Sequence, residues 1–192
     1  YQPSAPARSL ALNATETLAL VFPQIATPFF SEFIRGAESV ARHHQYHLLV
    51  YSCPEASEAD PLLRILPSRT DGIILATRHS DSAYVHQLYR QSFPFLVLGR
   101  AVANLETDGI YPDNEGGAYQ LASHLAREHA YRSIAYIAGP EDQPHNSERL
   151  SGLHRALAEF DIPWAPEFSV SGNFDEAGGY SAAQKLLTLP SP

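Results

Sequence analysis

The chain has 192 residues, 44% of them hydrophobic and 18% charged, and a formal net charge of −8. That composition supports a packed core and excludes wholesale disorder. The acidic balance gives the body of the molecule no general attraction to nucleic acid or anionic lipid, so any such contact has to be local. A single cysteine, Cys53, excludes an internal disulfide and a cysteine-based zinc site, and no apolar run approaches the roughly 18 residues of a membrane span.

In chain order, a proline- and arginine-bearing segment (residues 1–16) comes first, and then "LALVF". This continuous apolar run predicts a strand buried on both faces. Thr27 and Pro28 read as an N-cap and first helical residue. Phe30, Phe33, Ile34, Ala37, Val40 and Ala41 follow at helical spacing. "HLLVYS", "DGIILAT", "FPFLVLG" and "TDGIYP" predict four further strands, with short helices at "EADPLLRIL" and "SDSAYVHQLYRQ". "DNEGGAYQLASHLAREHAY" predicts a helix with Ala118, Leu121, Ala122 and Leu125 as its apolar stripe, capped by Asp113 or Asn114. "RSIAYIAG" and "PEFSVSG" read as strands. "SERLSGLHRALAEF", with Leu150, Leu153, Leu157 and Phe160 on one side, and "DEAGGYSAAQKLL" read as helices. Strands alternating with helices call for an α/β fold, with parallel sheets covered on both faces through right-handed crossovers. Only about two strands follow Ser133, and the chain stops at "TLPSP". A second sheet is therefore expected to be incomplete.

The chemistry of common enzymes on this architecture is missing from the sequence. The turn "PQIATP" has no glycine to cradle a phosphate. There is no G-x-S-x-G elbow and no H-E-x-x-H, and the adjacent His43 and His44 point to different helix faces. No nucleophile, base and oxyanion hole assemble, so neither an enzyme nor a metal or organic cofactor is expected.

The collinear set "YQPSAPARSLALNATETLALVFP", "FFSEFIRGAESVARHHQYHLLVYS", "TDGIILA", "FPFLVLGR", "TDGIYPDNEGGAYQLASHLAREHAYRSIAYIAGP", "SERLSGLHRALAEFDI" and "GNFDEAGGYSAAQKLL" resembles the lac repressor/purine repressor family of bacterial transcription regulators. The resemblance implies a two-lobed, periplasmic-binding-protein type I fold. Residues 1–16 would be hinge helix and linker, 17–132 the N-terminal lobe and 133–192 part of the C-terminal lobe. It also implies a helix-turn-helix headpiece ahead of Tyr1, a homodimer, a cytoplasmic location and no membrane partner. A periplasmic-type sugar-binding protein serving transport or chemotaxis is the alternative on the same fold. In the family, the hinge helices enter the minor groove of operator DNA. By matching position Leu10 is the wedge between base steps, Arg8 brings charge to the groove or backbone, Ala7 permits close approach, and Ser4 is the N-cap. Pro6 departs from the family's usual helix former.

The resemblance also implies a small-molecule effector between the lobes, a sugar first and a purine or nucleoside otherwise. Phe29 and Phe30 open the first helix. Phe30 shares the apolar stripe, so packing and ligand contact are both open to it, while Phe29 lies about 100° away round the helix. Asp113 is assigned to ligand hydroxyls or amines, and Arg149 to holding two oxygens with its planar fork. Phe174 is assigned to stacking on the ligand ring, with Gln143 and His145 lining the cleft. His79 is a lesser candidate.

Overall fold

"LALVF" forms an interior strand of the first sheet, paired on both sides and covered on both faces, in keeping with its unbroken apolar run. The computed structural model describes residues 14–23, 28–53, 61–76, 83–99, 101–102, 104–141 and 143–189. The expected hinge, with Ser4, Ala7, Arg8 and Leu10, lies outside the described residues, as does His79. The chain divides into two compact units, Tyr1–Pro112 and Asp113–Pro192.

In the first unit, β1 (Thr17–Phe22) pairs in parallel with β2 (His47–Ser52) on one side and with β3 (Gly72–Leu75) on the other. β4 (Phe95–Leu98) and β5 (Asp108–Ile110) extend the sheet in the order β2-β1-β3-β4-β5, every pair parallel. Alternation along β1 divides the core. Ala19 and Val21, with Ile73 and Leu75, pack against Leu63, Leu66, Tyr84 and Leu88, from α2 (Pro61–Ile65), the 3-10 turn after it, and α3 (Ala83–Arg90). Leu20 and Phe22 face the other way, onto Phe30, Phe33, Ile34 and Ala37 of α1 (Pro28–His43). Full burial of a Phe or Leu side chain contributes about 1.5–3 kcal/mol, so β1 anchors both helical layers. Val40 of the expected stripe is instead 62% exposed.

The entry to β1 is fixed by Asp71. Its carboxylate accepts from Thr15 N (2.7 Å), Thr15 Oγ1 (2.8 Å) and Glu16 N (2.9 Å). Partial burial pushes this carboxyl up, but hydrogen bonds from Thr15, Glu16 and Thr17 together outweigh that and hold it below its ordinary value.

The second unit contains α4 (Asn114–Arg127), β6 (Tyr136–Ala138), α5 (Pro144–Glu159), β7 (Ser169–Ser171) and α6 (Glu176–Leu187). β6 and β7 pair in parallel, with Ala138 opposite Ser171. α4 and α5 bury Ala122, Ala126, Leu153, Ala156 and Leu157 between them, with Tyr119, Leu150 and Phe160 at the margin. They approach until backbones touch: a Cβ on Gly152 would stand 2.1 Å from the Glu115 carbonyl oxygen. This packing places α4 in the second unit, whereas the sequence reading assigned it to a first lobe ending at residue 132. Leu121, expected in the α4 stripe, is 62% exposed. Ala122 of the same stripe and Ala126 make the contact, small side chains that permit so close an approach.

Candidate ligand site

The two aromatics of the first unit have different surroundings. Phe30 stacks on Phe22 at a centroid distance of 4.6 Å and belongs to the α1 core. Phe29 is 63% exposed and meets the Phe30 ring edge-on at 5.2 Å. An aromatic this exposed at the first turn of a helix after a strand stands where open α/β sheets present ligand contacts.

The other predicted residues of the site lie in the second unit, at the start of α4, the start of α5 and the loop after β7. Asp113 is the α4 N-cap: its Oδ1 accepts from Gly116 N at 2.8 Å. The choice left open between Asp113 and Asn114 is thereby decided, and Asn114 is released from capping. At 7% exposure Asn114 is buried, and a buried amide has to be satisfied. Its Nδ2 donates to Glu148 Oε2 at 2.8 Å and lies 3.0 Å from His145 Nδ1. Its Oδ1 accepts from Arg149 Nε at 2.8 Å. One side chain thus joins the start of α4 to His145, Glu148 and Arg149 of α5.

Arg149 continues to the surface. Its guanidinium carbon stands 5.9 Å from the centroid of the Phe174 ring, within cation–π range. Its terminal nitrogens make no hydrogen bond among the described residues. Phe174 is 53% exposed and its ring rests on Gly139, where a Cβ would come within 2.0 Å of the ring. Phe174 holds this place with a left-handed backbone (φ 59°), as does Asn173 (φ 54°), a conformation uncommon for a bulky residue.

A second buried amide holds the floor. Asn146 Oδ1 accepts from Gly139 N and from the Tyr136 hydroxyl, each at 2.9 Å. This pins the carboxyl end of β6 to α5. Burial pushes the Tyr136 phenol up, and the charge of Arg149 partly opposes it. Gln143 is the α5 N-cap by backbone position, and its side-chain Nε2 is buried without a partner among the described residues.

The structure therefore links His145, Arg149 and Phe174 through Asn114, with Gln143 at the start of the same helix, and adds Asn114, Glu148 and Asn146, which the sequence reading did not name as site residues. The signal available for Asn114 was the redundancy of two candidate caps. A hollow of about 710 Å³ lies elsewhere, at the amino ends of β1 and β2, lined by residues including Glu16, Ile34, Glu38, Arg42 and Tyr46. That end of an open α/β sheet is opposite to the one that binds ligands. Among the described residues no group of three or more His, Cys, Asp or Glu could hold a metal, and no helix is long and apolar enough to cross a membrane.

Residues 15–192 match the family described as periplasmic binding proteins and sugar binding domain of LacI family. The HTH-type transcriptional repressor CytR of Escherichia coli K12 is 31% identical over 196 residues, an alignment that takes in all of this chain and 57% of the relative. The chain thus spans little more than half the length of the curated relatives it matches. Among solved structures, a transcriptional regulator CelR–cellobiose complex superposes with a TM-score of 0.74 at 26% identity, covering 97% of this chain and 62% of that one. A LacI family transcriptional regulator from Enterococcus faecium with bound ribose gives a TM-score of 0.74 at 27% identity, covering 91% and 64%.

Proposed function

The chain belongs to the family of periplasmic binding proteins and LacI-type sugar-binding domains, and from that premise we propose that it is the effector-binding part of a ligand-responsive transcription repressor. The relatives are repressors, which favours this reading over sugar transport. The effector is a small polyhydroxylated ring compound, a sugar in the first instance. Two of the similar solved structures are complexes with cellobiose and ribose.

The observation that carries the reading is the pairing of Arg149 with Phe174. A flat apolar face, exposed and held in a costly left-handed backbone (about 1–3 kcal/mol), lies beside a guanidinium whose terminal nitrogens make no hydrogen bond among the described residues. A sugar ring presents an apolar face to an aromatic and oxygens to a fork, so one ligand can satisfy both. Gln143 Nε2 supplies a further buried donor in need of an acceptor. Phe29 is the corresponding stacking candidate of the first unit, and Phe30 supports it from the core.

In the whole protein, a homodimer in the cytoplasm, ligand binding changes how a two-fold operator is gripped. Ser4, Ala7, Arg8 and Leu10 form the hinge that reaches the DNA, with Leu10 kinking a base step at a cost of a few kcal/mol offset by wider contact. The test is the operator affinity of the full-length protein, titrated against a panel of sugars and nucleosides. One of them is expected to shift the affinity; a panel without any effect contradicts ligand control.

A further inference from the structure

Arg149 can only donate hydrogen bonds. The atom of Asn114 that receives its Nε at 2.8 Å is therefore the carbonyl oxygen, and the orientation of the Asn114 amide is fixed. The amide nitrogen then has to face Glu148 Oε2 at 2.8 Å and His145 Nδ1 at 3.0 Å. Both of these groups, facing an amide that donates, must be acceptors.

For Glu148 this is the ordinary carboxylate. For His145 it is a constraint, since a proton on Nδ1 would set two donors against each other at 3.0 Å. The alternative partner for such a proton, Glu148 Oε2, is 3.7 Å from Nδ1, too far for a hydrogen bond. We infer that Asn114 is a positioning residue of the ligand site: through one amide it holds the guanidinium of Arg149 and fixes His145 as the tautomer that carries its proton on Nε2. The inference about ligand contact rests on the function proposed above; the polarity of the relay stands on the geometry alone.

The consequence for ligand class follows from the directions of the bonds. Asn114 takes up Glu148 Oε2 and the acceptor nitrogen of His145. What the cluster then turns to a ligand is the Nε2–H of His145 and the outer N–H groups of Arg149 as donors, with Glu148 Oε1 as an acceptor. Such a mixed set suits ligand hydroxyl groups, which both accept and donate.

The relay is tested by nitrogen-15 NMR of the histidine rings and arginine side chains in the whole chain, with His145 assigned by its disappearance in His145→Gln. In the unsubstituted protein the Nε2–H tautomer is expected to exceed the other by about tenfold, and the Arg149 Nε–H is expected to exchange slowly with water. Asn114→Asp, made together with Glu148→Gln so that two carboxylates are not set 2.8 Å apart, keeps an acceptor for Arg149 but replaces the donor facing His145 with a carboxylate oxygen. The Arg149 Nε–H should stay protected while the His145 proton moves to Nδ1. A residue that merely supported the fold would change both signals or neither. The measurement on the unsubstituted chain depends on no variant folding. A proton on Nδ1 there, or an unaltered tautomer in the double variant, overturns the inference. Absence of sugar binding with the tautomer as described would overturn the proposed function and leave the relay standing.

Discussion

Phe174 rests on Gly139 so closely that a Cβ added to the glycine would stand 2.0 Å from the ring's Cζ. The aromatic platform of the proposed site therefore depends on a hydrogen atom at the end of β6. Gly139→Ala is expected to tilt or lift the ring and to weaken ligand binding about three- to tenfold. Calorimetric titration of the two proteins checks this. The fold of the unit should survive, because Asn146 still holds the Gly139 backbone N–H.

The α4–α5 crossing is less forgiving. A methyl group at Gly152 meets the Glu115 carbonyl at 2.1 Å and the Tyr119 backbone nitrogen at 2.9 Å. Neither neighbour is the flexible end of a side chain, so the helices have to separate. Gly152→Ala is expected to lower stability by about 1–3 kcal/mol, as overpacking does, read as a lower midpoint in urea with an unchanged slope.

Asp71 predicts a pH dependence. Its carboxyl is held below the ordinary value of 3.8 in the folded chain, so the unfolded chain takes up the proton first as pH falls. The stabilisation from this group is complete above its unfolded value and disappears as pH drops through the lower folded value. Asp71→Asn should accordingly be less stable than the parent at neutral pH, and the two curves should converge below pH 3.8. Thermal unfolding across that range measures it; a gap that stays constant contradicts the clamp on Thr15 and Glu16.

Tyr84 points the other way. Its side chain is buried, its hydroxyl has no partner among the described residues, and burial pushes its phenol up. Removing an unsatisfied buried hydroxyl removes its desolvation cost, about 1–3 kcal/mol. Tyr84→Phe is expected to raise the melting temperature, and a clear fall would show that the hydroxyl is bonded.

Much of the fold was legible in the sequence because its signals are local. The run "LALVF" can only be a strand covered on both faces, and five strand-like segments before residue 113 became the five strands of one parallel sheet. The boundary between units was not legible, since α4 has the same amphipathic pattern whichever sheet it serves. What settles its place is the helix contact at Gly152, a property of three-dimensional packing. The stripe assigned to α4 held at Ala122 and failed at Leu121, because this interface is built on small residues.

Of the candidate site, Arg149, Phe174, His145 and Gln143 were readable as candidates, and the structure links the first three through Asn114 and the Arg149–Phe174 contact. Asn114 was visible only as one of two rival caps. Its part in orienting Arg149 depends on three partners at least 31 positions away in sequence, and no local pattern encodes such a meeting.

The central claim, that Arg149 and Phe174 hold an effector sugar, is tested most directly by calorimetric titration of the chain and its Arg149→Ala variant with a panel including ribose and cellobiose. The account predicts saturable binding of one sugar per chain, weakened at least about tenfold in the variant. Equal affinity in both proteins, or no binding of any sugar to either, contradicts it.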